Sequence, residues 1–145
     1  MASVKNCVAP ALLAVALLAG CGGDPAGQDL CARYDDLKAA VEDLDAAPQL
    51  DTSNADAVQK QVDTLRLQAD KVKDTLDQVQ RVSEGRLDSA IATARLSVDE
   101  MRESLIVARY DAAETLGPKI TEAQANLREA YAPVASALDT QCSTS

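Results

Sequence analysis

The chain has 145 residues with 14 basic and 23 acidic side chains, a formal charge of −9, and no His, Trp or Phe. An acidic excess of this size argues against nucleic acid and anionic lipid surfaces as ligands, because both are held by clustered Lys and Arg. The missing residue types remove the commonest general base, the commonest metal ligand and the usual aromatic anchors, so a zinc site, a Ser-His dyad and a Glu-x-x-His di-iron motif are excluded and no cofactor is expected.

At the N-terminus, Lys5 precedes an apolar run from Val8 to Leu18 that only Pro10 interrupts. About 11 residues fit the roughly 7–15 of a signal-peptide apolar region and fall short of the ~20 that span a bilayer. The run stops at Leu18-Ala19-Gly20-Cys21, which resembles the lipobox of bacterial lipoproteins. The resemblance implies that residues 1–20 are a cleaved signal peptide and that Cys21 is the lipidated residue, carrying a diacylglyceryl thioether and often a further acyl chain on the new amino terminus. It places the mature protein on the extracytoplasmic face of the cell membrane, with the membrane as one partner through the lipid anchor and an unidentified envelope protein as the other. Two or more chains anchor stably, since each buried methylene contributes about 0.8 kcal/mol and one chain alone binds reversibly. The composition, rich in Ala and Asp with little Lys relative to Arg, resembles that of actinobacterial proteins, among which small helical lipoproteins are common, and it assigns no activity.

Residues 21–28 read as a flexible tether after the lipidated Cys21, because Gly22, Gly23 and Gly27 lack a conformational preference and Pro25 breaks regular structure. Seven residues reach at most about 25 Å. Losing residues 1–20 removes Lys5 alone, so the mature chain keeps 13 basic and 23 acidic residues, a charge of −10.

Residues 29–142 form the expected body, a single all-α domain long enough to bury its own core. Leu30, Tyr34, Leu37, Val41 and Leu44 alternate spacings of four and three, which places them on one helical face. Pro48 and Asp51-Thr52-Ser53-Asn54 end that helix, and Ser53 with Asp56 reads as a capping box for the next. The second seam is Val58, Val62, Leu65, Ala69, Val72, Leu76 and Val79, and the third is Leu87, Ile91, Ala94, Val98, Met101, Leu105 and Ala108.

The third seam is one residue out of phase with the second, and Gly85 lies at the slip. Either one long helix absorbs a skip residue, or a tight turn at about residues 83–86 separates two antiparallel helices. Gly117-Pro118 then reads as the boundary between the third helix and a fourth, whose seam is Ile120, Ala123, Leu127, Ala130, Val134 and Ala137. Pro133 should kink that helix without ending it, and residues 143–145 should fray. With Cys7 lost and Cys21 lipidated, Cys31 and Cys142 are the thiols left, and in an oxidising envelope they are expected to pair. The two architectures differ on this point. A long central helix keeps those cysteines some 30 Å or more apart, whereas an antiparallel four-helix up-down bundle brings them close. The bundle is the predicted fold, with the second and third helices projecting past the others around residues 76–92.

Three features invite a functional reading. Asp35-Asp36, Glu42-Asp43 and Asp45 acidify the first helix, but without the Asp/Asn ladder and Gly of a calcium loop they read as a solvated face. Glu100, Glu103, Glu114, Glu122 and Glu129 fall mostly off the seams, with Arg95, Arg102, Arg109 and Arg128 at salt-bridging distances along the helices, so surface pairing is expected. Tyr34 and Tyr131 fall at similar heights and read, with Tyr110, as core packing with hydroxyls turned outward. Small seam residues such as Ala69, Ala94 and Ala123 leave little room for a cavity. The expected function is therefore a non-enzymatic helical interaction or spacer module with no catalytic residues, and the alternative is a binding protein for a small apolar or lipid ligand within the bundle.

Overall fold

The computed structural model describes residues 25–51, 53–107 and 113–143. Residues 1–24, with the expected signal peptide and Cys21, and Tyr110 lie outside the described residues. Four helices run in chain order: α1 (Pro25–Asp45), α2 (Ala55–Val82), α3 (Asp88–Val107) and α4 (Ala113–Cys142), and the described residues contain no strand.

Each helix packs on its neighbour in the chain, and α1 closes the ring against α4 by the lightest of the four interfaces. Cross-helix pairs give the directions. Arg33 with Gln78 and Asp43 with Lys71 make α1 and α2 antiparallel; Lys73 with Asp99 and Arg102 with Asp70 do so for α2 and α3; Tyr34 with Asp139 and Asp45 with Arg128 do so for α1 and α4. The core is built from the predicted seams, with Leu37, Ala69, Val72, Val79, Ile91, Ala94, Val98, Met101 and Leu105 fully enclosed. Burying a Leu, Ile or Met side chain contributes about 1.5–3 kcal/mol, so these heptad positions carry the fold.

The phase slip is a turn. Ser83 ends α2 with its N–H donated to the Val79 carbonyl, and Glu84 (φ 53°) and Gly85 (φ 81°) then occupy the left-handed region in succession. Arg86 N–H donates back to the Ser83 carbonyl at 3.2 Å. Two left-handed residues reverse the chain within a few positions, which excludes the single long helix. The bundle brings Cys31 and Cys142 into a disulfide with a Cα separation of 5.6 Å.

Four local expectations are corrected. Residues 25–28, expected in the tether, belong to α1, which begins at Pro25: proline is tolerated in a first turn, where its missing N–H would have had no partner. The cap of α2 is Asn54, not Ser53; the Asn54 side chain accepts from the N–H groups of Asp56 and Ala57, while Ser53 turns back onto the Asp51 carboxylate. Gly117-Pro118 lies inside α4 and does not start it. A residue before proline is usually kept out of helical geometry partly by its Cβ, and Gly117 has none. Helix then forms upstream, and Leu116 becomes a core residue at 1% exposure.

The projection around residues 76–92 is absent. That expectation aligned the end of α1 with the start of α2, but residues 46–51 run alongside α2 as a strap, with Asp51 N–H donating to Gln61 Oε1 at 2.9 Å. The α1 helix therefore lies further along α2, where Arg33 reaches Gln78, and Ala130, Pro133 and Ala137 of α4 flank Leu87 and Ala90. The α4 helix continues through Pro133 with Val134 and Leu138 buried. Ser143 extends its last turn by donating N–H to the Asp139 carbonyl, and residues 144–145 lie outside the described residues.

Candidate functional site

The two edges of α3 are built differently. Arg95 and Arg102 are seven residues apart on one edge, and Asp77 and Asp70 are seven apart on the facing edge of α2, so antiparallel packing matches them pairwise. Arg95 Nε lies 3.1 Å from Asp77, Arg102 Nε lies 2.5 Å from Asp70, and Lys73 Nζ lies 2.6 Å from Asp99. The Lys73 hydrogen bond, helped by Arg102 and opposed by partial burial, holds the Asp99 carboxyl below its usual range.

This pattern corrects the expected pairing of arginines with glutamates. Arg95 and Arg102 go to aspartates of α2, and Arg128 goes to Asp45 of α1 at 2.6 Å. Arg109 lies outside the described residues. Glu100, Glu103 and Glu122 are exposed and make no ion pair among the described residues. Helical spacing alone could not separate the two outcomes, since a pair three or four residues apart and a pair across a heptad interface compete for the same guanidinium.

Those three carboxylates rim a cleft of about 430 Å³ between α3 and α4, open to solvent, with Ser97, Met101 and Ala123 at its wall and Lys119 at one end. Ser97 is 8% exposed, and its buried hydroxyl has no hydrogen-bond partner. Other helix hydroxyls on α3 behave differently: Ser104 donates to the Glu100 carbonyl at 2.9 Å and Thr93 to the Ser89 carbonyl at 3.1 Å. A buried hydroxyl without a partner costs about 1–3 kcal/mol, and the Ser97 oxygen is sealed from solvent behind this wall. Chemically, the arrangement offers acceptors in excess of donors. The sequence showed Glu100, Glu103 and Glu122 but not Ser97, because nothing in helical spacing reveals which way a hydroxyl turns.

A second polar cluster lies near the disulfide. Tyr34 is 3% exposed and donates its hydroxyl to the Asp139 carboxylate at 2.7 Å, so it does not turn outward as predicted. Burial first, and then the Asp139 hydrogen bond, push the Tyr34 hydroxyl far above its ordinary pKa. Tyr131 is half-buried, and burial raises its pKa also. The first-helix acids are spread among Arg33, Lys71 and Arg128, and no group of three or more Cys, Asp or Glu among the described residues is arranged to hold a metal ion.

A third feature is a cleft of about 600 Å³ beside the 46–50 strap, where Ala47, Leu50, Leu65 and Ile120 face Thr121 and Gln124. Both clefts are open to solvent at the surface between helices. Of the residues singled out from sequence, Cys31 and Cys142 are joined, and Cys21 lies outside the described residues. No helix of the described residues is long and apolar enough to cross a membrane. No family model, curated protein or solved structure matches the chain.

Proposed function

We propose that the chain is an envelope lipoprotein, anchored to the extracytoplasmic face of the cell membrane through Cys21, whose four-helix body acts as a non-enzymatic interaction or spacer module. The observation that carries the reading is the Cys31–Cys142 bridge: structural disulfides persist in oxidising compartments and are rare in the cytosol, which fits an exported chain. The Leu18-Ala19-Gly20-Cys21 motif supports the anchor, and only three residues separate Cys21 from the start of α1. Three residues reach little more than about 10 Å, so the disulfide-bearing pole of the bundle sits against the membrane. The 30 residues of α4 carry the opposite pole about 45 Å away at 1.5 Å per residue. Intact-mass measurement of protein extracted from its own membranes should show a chain beginning at Cys21 with diacylglyceryl and acyl mass added; an unmodified chain would end the anchoring proposal.

A second reading, a carrier for a small apolar or lipid molecule, is favoured by the cleft beside the strap, whose volume falls in the range of small-molecule sites. Lipid extraction and mass spectrometry of the purified protein tests it, and the absence of any co-purifying lipid beyond the anchor would reject it.

A further inference from the structure

We propose that the strap cleft binds a long-chain fatty acid with its carboxylate at Lys60, a site that rests on the carrier reading. Two hollows flank the strap, the cleft of about 600 Å³ on its α4 side and a narrower one of about 180 Å³ on its α2 side. Ala47, Pro48 and Leu65 line both. The hollows are therefore two halves of one track that the strap crosses. An elongated ligand can occupy both halves, whereas a compact one fills only one.

The two ends of the track differ in charge. At the α2 end stand Lys60, which makes no ion pair among the described residues, and Gln61. Asp56 and Asp63, the acids nearest to Lys60 along α2, do not pair with it. Gln61 Oε1 already accepts the Asp51 N–H, so what its amide has left to offer is a donor. An ammonium and an amide N–H in one hollow suit a carboxylate, which accepts hydrogen bonds only. At the α4 end Glu122 lines the cleft, and its charge turns a carboxylate away from that side. Between the ends Ala47, Pro48, Leu50, Leu65 and Ile120 supply apolar wall, and each methylene that leaves water adds roughly four-fold to affinity. Chain burial gives the strength and Lys60 the direction. A single carboxylate needs one cation, not the cluster that an anionic lipid surface requires.

The test uses the full chain purified from its own cells, in phosphatidylcholine nanodiscs if it carries the anchor and in buffer if it does not. Two palmitate analogues serve as probes, with a photoreactive diazirine beside the carboxyl in one and at the methyl end in the other. The first should label the α2 peptide around Gln61 and Leu65, and the second the α4 peptide around Ile120 and Ala125. Palmitate should compete with both labels and hexadecylamine with neither. At subsaturating probe, Lys60→Gln should lower labelling roughly three- to ten-fold, the loss of one charge-assisted contact at an exposed position, and Lys60→Arg should restore it. Lys60 is exposed, so these variants keep the fold, and far-UV circular dichroism checks that they do. Labels at exchanged ends, labels spread over peptides away from the strap, or labelling that Lys60→Gln leaves unchanged would overturn the proposal. A co-purifying neutral or cationic lipid with no palmitate labelling would overturn it and leave the carrier reading standing; a chain that binds no lipid beyond the anchor would end both.

Discussion

The seam between α2 and α3 and the seam between α1 and α4 solve the same packing problem with different means. The first joins helices linked by a turn of a few residues, and surface ion pairs of Lys73, Arg95 and Arg102 line it. The second joins the two ends of the domain and uses a disulfide, a partly buried Tyr34–Asp139 hydrogen bond, Gln124 on the Leu44 carbonyl and Arg128 on Asp45. Loop-closure entropy explains the contrast: a short turn holds its helices together at little cost, whereas closing a long loop opposes association more strongly. A covalent link is needed where the chain itself supplies no proximity.

The sharpest way to break this contrast is to open the bridge. With its ends 111 positions apart in sequence, the chain-entropy treatment gives roughly 4–5 kcal/mol of stabilisation, an upper figure for real disulfides. Reduction, or Cys31→Ser, should lower the urea midpoint accordingly and speed amide exchange in α1 and the end of α4 before α2 and α3. An unchanged midpoint would mean that the bridge does not hold the seam.

Tyr34→Phe should cost about 1–1.5 kcal/mol at neutral pH, the range for one hydrogen bond. It should also alter the alkaline limb. Burial and Asp139 raise the folded pKa of Tyr34 above the ordinary 10.0, so its contribution is complete below that value and is lost as pH climbs past it toward the folded pKa. Tyr131 shifts in the same direction. A stability profile above neutral pH should therefore fall less steeply in Tyr34→Phe than in the native chain.

The α2–α3 seam should fail at the opposite extreme. The Asp99 pKa is lowered, chiefly by Lys73, so its contribution is present above the ordinary 3.8 and is lost as pH falls below it. Acid titration of Lys73→Gln, which removes the partner, should show a shallower loss than the native chain. Arg95→Ala or Arg102→Ala should each cost about 0.5 kcal/mol or less at physiological salt, because the pairs are partly exposed, and the effect should shrink further in high salt. The smallest change expected is a gain. Glu84 holds a left-handed backbone that glycine adopts without steric cost, so Glu84→Gly should stabilise the turn by about 0.5 kcal/mol.

Much of this was legible before the structure because it rests on period and phase. The seams of α2 and α3 obey a heptad, the one-residue slip between Val79 and Leu87 coincides with the turn, and the two cysteines left at the ends of the body are joined. What escaped depends on competition between local signals. Ser53 and Asn54 are both good caps, and only the Asp51 carboxylate, which takes Ser53, decides between them. Gly117-Pro118 carries a strong boundary signature, yet a glycine before proline is also the combination that lets a helix pass, and Leu116 was missed for that reason. The unpaired glutamates and the orphaned Ser97 hydroxyl were illegible because guanidinium partners are chosen across interfaces that a linear pattern does not show.

The bridge also makes the domain a covalent circle. A protease that nicks the strap between Ala47 and Asp51 would sever the peptide yet release nothing: the fragments would migrate as one species on a non-reducing gel and as two after a thiol is added. Cleavage at that far pole is therefore silent to any assay that keeps the sulfurs joined.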